Sequence, residues 1–180
     1  MNVFIAGGHG VGKTFLVSAL TLPAGVVATS ASKLIREERG QASWGMDKRV
    51  AEVDANQLAL ASAVKRHNDG GARLLLDGHF ALHGADGALR LLDAEVFAAL
   101  NLSGVILLEA KPDVVAERIQ ARDNRKADRE EIESLASAER NQAYAVCAQL
   151  GLTLVTMQSP RVDEFAAFVD ALTRPRPTAA

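Results

Sequence analysis

Gly7-Gly8-His9-Gly10-Val11-Gly12-Lys13-Thr14 sets two glycines, a lysine and a threonine in the spacing G-x-x-x-x-G-K-T, directly after the apolar run Val3-Phe4-Ile5-Ala6. These residue types in this order suit the binding of phosphate groups. Glycines let the backbone turn its N–H groups inward, and a helix that starts at the lysine adds its free N–H groups to the same concave site. In such a P-loop, Lys13 reaches the β- and γ-phosphates of a nucleotide and the Thr14 hydroxyl holds Mg²⁺. Gly8, His9, Gly10, Val11, Gly12, Lys13, Thr14 and Phe15 are therefore the expected ATP-binding residues.

Asp77 ends the apolar run Leu74-Leu75-Leu76, the pattern of a central parallel strand that delivers a carboxylate to its C-terminal edge. It is the second expected Mg²⁺ residue, directly or through water; the alternative is an aspartate that only caps the turn at Gly78. Arg118, Arg122, Arg125 and Arg129 follow one another at spacings of four, three and four, with Arg140 beyond. Bringing two phosphate-bearing substrates together requires several such cations. If helical throughout, the first four would share a face, and Glu117, Asp123, Asp128 and Glu130 would allow a solvated, salt-bridged stripe instead. The polar character between Gln120 and Ile132 favours a short mobile lid, residues 118–130.

The elements that must position these groups alternate between strand and helix. Strands are expected at residues 3–6, 26–28, 73–77, 105–108 and 152–157. Helices are expected at 14–20, 30–39, 47–68, 93–100, 113–122, 128–150 and 159–172. The segment 79–87 reads as a flexible loop, 41–45 as a loop carrying Trp44, and 174–180 as a frayed tail. Asp128 followed by Glu131 has the spacing of a capping box. The resulting fold class is α/β: a P-loop NTPase with a five-stranded parallel sheet flanked by helices. A helical insert at 29–70 interrupts it, and one domain is expected over 1–180.

Composition narrows the function classes. Apolar residues make up 48% of the 180, which supplies a core, and the formal net charge of −2 offers no bulk attraction for nucleic acid or an anionic membrane. Cys147 is the single cysteine and lies in an apolar helical pattern, so a buried thiol is expected and cysteine-based zinc sites are excluded. Met1 leads straight into an apolar strand without a basic leader, and no run is long enough to cross a bilayer, so a cytoplasmic location is expected.

Taken together, these motifs resemble the nucleoside-monophosphate kinases, and among them the archaeal-type adenylate kinases, over roughly residues 1–170. Leu75-Leu76-Asp77-Gly78-His79 is similar to the signature of apolar strand, Asp, small residue and His. Arg118-Ile119-Gln120-Ala121-Arg122 is similar to the R-I-x-x-R opening of the family's lid. The resemblance implies transfer of the γ-phosphoryl group of ATP to a nucleoside monophosphate, AMP foremost, with Mg²⁺. It implies Lys13, Arg118, Arg122 and Arg140 as catalytic residues, Arg118 also contacting the donor. Ser32, Arg36, Gln57, His79, Arg125 and Arg140 would hold the acceptor. Ala31 stands where those enzymes carry a threonine, which leaves the acceptor's base open. Two other readings stay open: a P-loop kinase of another small acceptor, and an ATP-binding regulatory or partner protein that turns ATP over slowly.

Overall fold

The computed structural model describes residues 1–40, 51–84, 87–124 and 127–173. Trp44, Arg125, the expected start of the long helix at Asp47 and the tail 174–180 lie outside them. Five strands form a parallel sheet: β1 (Asn2–Ala6), β2 (Val26–Ser30), β3 (Arg73–Asp77), β6 (Leu102–Glu109) and β7 (Thr153–Gln158). Their spatial order is β2-β3-β1-β6-β7. Ile5 stands opposite Asp77 on one side and Ile106 on the other, and the β1–β6 register shifts by one residue between Asn2 and Val3. Every residue of β1 is buried, as a central parallel strand covered on both faces requires.

Alternation along that strand divides the core in two. Phe4 and Ala6 face one layer, with Leu34, Leu60, Val64, Phe97, Val146 and Cys147. Val3 and Ile5 face the other, with Leu16, Val115, Ile119, Phe165 and Val169. The first layer is built by α2 (Ala31–Arg39), α3 (Ala51–Asp69), α4 (Ala94–Ala98) and α6 (Arg129–Leu150); the second by α1 (Lys13–Ser18), α5 (Pro112–Asp123) and α7 (Val162–Thr173). Among the described residues no helix is long and apolar enough to cross a membrane. Cys147 is buried, and burial pushes its thiol up to about 11, the inert thiol that its pattern implies.

Two expectations need correction. The segment read as a loop from His79 carries a small antiparallel hairpin, β4 (Ala81–His83) with β5 (Leu89–Leu91). Three-residue strands are too short for period-two alternation to register in sequence. The arginines are divided as the expected helices 113–122 and 128–150 divide them: α5 stops at Asp123, with Asn124 in the left-handed region at φ 50°, and α6 begins at Arg129; what needs correction is the expectation that the polar stretch between them stays off the core. Ala127 and Ile132 pack on the core there, which the polar pattern concealed. At the start of α6 the Asp128 side chain caps the Glu130 N–H at 2.9 Å.

Phe80 positions the segment after β3. It is fully buried, stacks on Phe97 at 4.2 Å between ring centroids and meets Phe4 edge-on at 5.4 Å. Burying such a ring contributes about 1.5–3 kcal/mol, so the residues on either side of it are anchored to the core.

Candidate functional site

All five strands run the same way, so their C-terminal ends share one edge of the sheet, where α/β folds bind ligands. That edge gathers the loop after β1, the start of α2 at Ser30, the Asp77-Gly78-His79 turn after β3, and Glu109 at the end of β6. Gly7, Gly10 and Gly12 hold φ values of 141°, 81° and 108°. A side chain at Gly7 would run into the Leu108 carbonyl, so the first turn of the loop demands glycine for space as well as conformation. No side chain caps α1 and no acid lies in its first turn, so its leading N–H groups stay available to an anion.

Lys13 is buried, 7% exposed, with its ammonium on the loop itself. Nζ donates to the Gly7 carbonyl and, at 3.4 Å, to the Gly8 carbonyl, and lies 3.7 Å from Asp77 Oδ1. Burial pulls its pKa down while Asp77 and Glu139 pull it up. Asp77 shows the converse, raised by burial and lowered by Lys13. Thr14 is exposed at the first turn of α1 and Phe15 is 69% exposed beside it; Val11 is buried under the loop.

His79 and His9 meet across the site, ring centroids 4.8 Å apart and tilted by 46°. Burial, then Lys13 and His9, depress the His79 imidazole to about 3, opposed by a hydrogen bond to the Gly7 backbone. Partial burial, then Lys13 and Arg122, also lower His9. Both rings are neutral at pH 7.

The arginines separate. Arg118 lies against the P-loop, its Nη1 donating to the Gly10 and Val11 carbonyls at 3.1 and 2.9 Å. Arg122 forms a two-pronged pair with neighbouring Asp123 at 2.7 Å. Arg129 bonds Asp113 and Glu133 on the surface, neither of them among the acids that the spacing suggested as partners. Arg140, on α6, donates from Nε to Glu109 at 2.5 Å.

Across from the P-loop, Ser30 opposes Asp77 in register and caps α2, accepting from Lys33 N–H. The exposed Ser32 hydroxyl is 3.2 Å from that of Ser30. Ala31 lies over Gly78, where an added Cβ would sit 3.6 Å from its own. Arg36 is exposed on α2 and Gln57 half-buried on α3. The two helices are fastened by Glu38, which accepts from Ser62 at 2.7 Å and pairs with Arg66. The fold thus clusters Lys13, Asp77, His9, His79 and Arg118 tightly, with Ser32 at the margin.

Sequence reasoning missed Glu139. It is 1% exposed and accepts hydrogen bonds from Gly7 N–H at 3.0 Å, Phe80 N–H at 2.8 Å and Ala81 N–H at 2.7 Å. Burial raises its pKa, while those bonds and Lys13 hold it down. A signal was present: Glu139 stands four and seven residues before the apolar Ala143 and Val146, which places an acid on the buried stripe of a helix.

Comparison with known proteins bears on this arrangement. Residues 6–136 match the family described as AAA domain. Among solved structures, a candidate kinase from Chloroflexus aurantiacus is similar at 18% identity and a TM-score of 0.54, over 96% of this chain and 98% of that one. An unliganded sugar kinase from a Janibacter species is similar at 12% identity and a TM-score of 0.62, over 95% and 92%. No curated protein matches the sequence. At these identities the structural likeness establishes a kinase-like P-loop fold.

Proposed function

The chain belongs to the AAA domain family, and from that premise we propose that it transfers the γ-phosphoryl group of ATP to a nucleoside monophosphate, with AMP the expected acceptor. The observation that carries this reading is the buried Lys13 ammonium, set in the P-loop 3.7 Å from Asp77 and beside Arg118. In the reaction, an oxygen of the acceptor phosphate forms a bond to the γ-phosphorus while the bond to the ADP oxygen breaks. Such a transfer needs alignment and charge neutralisation more than a strong base.

Each residue has a part in that task. The N–H groups of the loop cradle the β-phosphate, and Lys13 neutralises the transferring group from a site of low dielectric. Arg118 covers the donor side; Arg122 and Arg140, released from Asp123 and Glu109, meet the charge of both phosphate groups. Ser32, Arg36, Gln57 and His79 face the acceptor, and Arg125 is assigned with them. Residues 29–70 form the acceptor insert and 118–130 the lid. Thr14 and Asp77 would hold Mg²⁺: an exposed hydroxyl and a carboxylate are hard oxygen donors, and two protein ligands suit a cation that takes its remaining ligands from phosphates and water. When bound, the ion neutralises charge on the β- and γ-phosphates.

A second reading, transfer to the hydroxyl of another small molecule, draws support from Asp77, whose raised pKa suits it to accept a hydroxyl proton. The sugar-kinase neighbour agrees with it at the level of fold. One assay separates the two. Radiolabelled ATP and Mg²⁺ are incubated with AMP, dAMP, CMP, UMP, GMP, a set of sugars, or no acceptor. Label in one diphosphate supports the first reading, and label in a sugar phosphate the second. Label only in free phosphate, or remaining in ATP, refutes both.

A further inference from the structure

Glu139 has no part in the reaction described above, yet it is the one buried acid among the described residues. Its two oxygens are shared between two loops. Oε1 accepts from the N–H of Gly7, where the P-loop begins, and Oε2 accepts from the N–H groups of Phe80 and Ala81, in the segment just after Asp77. His79 Nδ1 lies 3.8 Å from Oε1. The next residue of α6, Arg140, pairs with Glu109 at the end of β6. One turn of one helix therefore straps the ends of β1, β3 and β6 together.

A core filler would not take this form. A buried carboxylate loses its hydration, a cost that an apolar side chain of similar volume avoids. What the carboxylate alone offers is two acceptor oxygens and no donor, matched here to three N–H groups, with its charge offset by buried Lys13. Because the P-loop belongs to the donor nucleotide and the 79–81 segment to the acceptor in the reading above, the strap spans the line along which phosphate would move.

We propose that Glu139 is a positioning residue for phosphoryl transfer, holding the donor loop and the acceptor-side segment in one register against α6. The inference rests on the kinase reading. It does not require Glu139 to touch either substrate.

Glu139→Gln tests it. The amide has one acceptor oxygen, so its NH₂ group must face an N–H on one side. Keeping the pair at Phe80 and Ala81 means releasing Gly7. The experiment uses the full chain, wild type, E139Q and E139D, and measures transfer from Mg·ATP to the acceptor found in the panel. Melting temperature and backbone amide exchange by NMR accompany it.

Expected for folded E139Q are a kcat lowered about 100-fold, the loss that a misplacement near 1 Å produces, and both KM values within about threefold. Exchange should accelerate selectively at Gly7 while Val3 to Ala6 stay protected. Unchanged kcat in a folded variant overturns the proposal. So does a loss of protection spread through β1 and β3 together with a kcat that recovers on cooling, the mark of a merely structural role. Should E139Q not fold, E139D decides: its carboxylate is one methylene short of spanning both loops. A lowered kcat at near-native melting temperature supports the strap, and full activity refutes it. A wild type that transfers no phosphate sinks the kinase reading alone, and selective exchange at Gly7 then still decides whether Glu139 aligns the loop.

Discussion

His79 allows the electrostatics of the site to be tested through folding. Its side chain is 18% exposed, and burial with Lys13 and His9 nearby depresses its pKa from 6.5 to about 3. The folded protein therefore refuses a proton that the unfolded chain accepts. Stability from this group is complete above the unfolded value and is lost as pH falls from about 6.5 towards 3. Integrating the difference in proton binding between pH 7 and pH 5 gives a loss of about 2 kcal/mol. Glu139 and Asp77 act in the opposite sense, since raised carboxyl pKa values let the folded state hold protons more tightly as pH falls. The total pH profile mixes these contributions. The difference between wild type and His79→Asn isolates the histidine, because asparagine does not titrate. Urea unfolding followed by far-UV circular dichroism at pH 7, 6 and 5 should show the wild type losing about 2 kcal/mol relative to the variant across that window. A flat difference would refute the neutral, buried imidazole, as would an NMR titration placing the His79 ring near 6.5.

Three further outcomes are expected. Lys13→Met, which keeps the buried stem but removes the ammonium, should lower kcat by at least about 10²–10³-fold, the loss seen when a charge-stabilising donor is removed; unchanged transfer in steady-state assays would remove the central claim. Arg36→Ala should raise the acceptor KM roughly 10-fold or more while leaving that of ATP within about twofold, since a charge-assisted bond contributes about 1.5–3 kcal/mol. Equal effects on both substrates would show that α2 is not the acceptor side. Gly78→Ala places a Cβ 2.5 Å from Cζ and 2.7 Å from Cε2 of Phe4, and overpacking of about 1–3 kcal/mol should lower the melting temperature by roughly 3–10 °C. A melting temperature within a degree of wild type would contradict the packing described.

Much of the frame was legible because its signals are local. The apolar run 3–6 followed by G-x-x-x-x-G-K-T, and Leu74-Leu75-Leu76 closing on Asp77, announce a buried parallel strand and what it carries at its end. The β4–β5 hairpin escaped because three residues hold too little alternation. The core packing of Ala127 and Ile132 beside the break at Asn124 escaped because isolated apolar residues in a polar run leave no periodic trace.

The sequence by itself determined the phosphate loop, the alternation of the five sheet strands with helices, and the place of Asp77 at a strand end. Residues a few positions apart share a turn or a face, so spacing alone reports on them. Tertiary structure decided which of these groups meet. Glu139 bridges to Gly7 across 132 residues and to Phe80 across 59. His9 faces His79, and Arg118 reaches the carbonyls of Gly10 and Val11. Such contacts arise only when the sheet brings its C-terminal ends to one edge and α5 and α6 close over them. The pKa values follow from the same closure, because a neutral His79 and a raised Glu139 reflect burial, a property of the packed site.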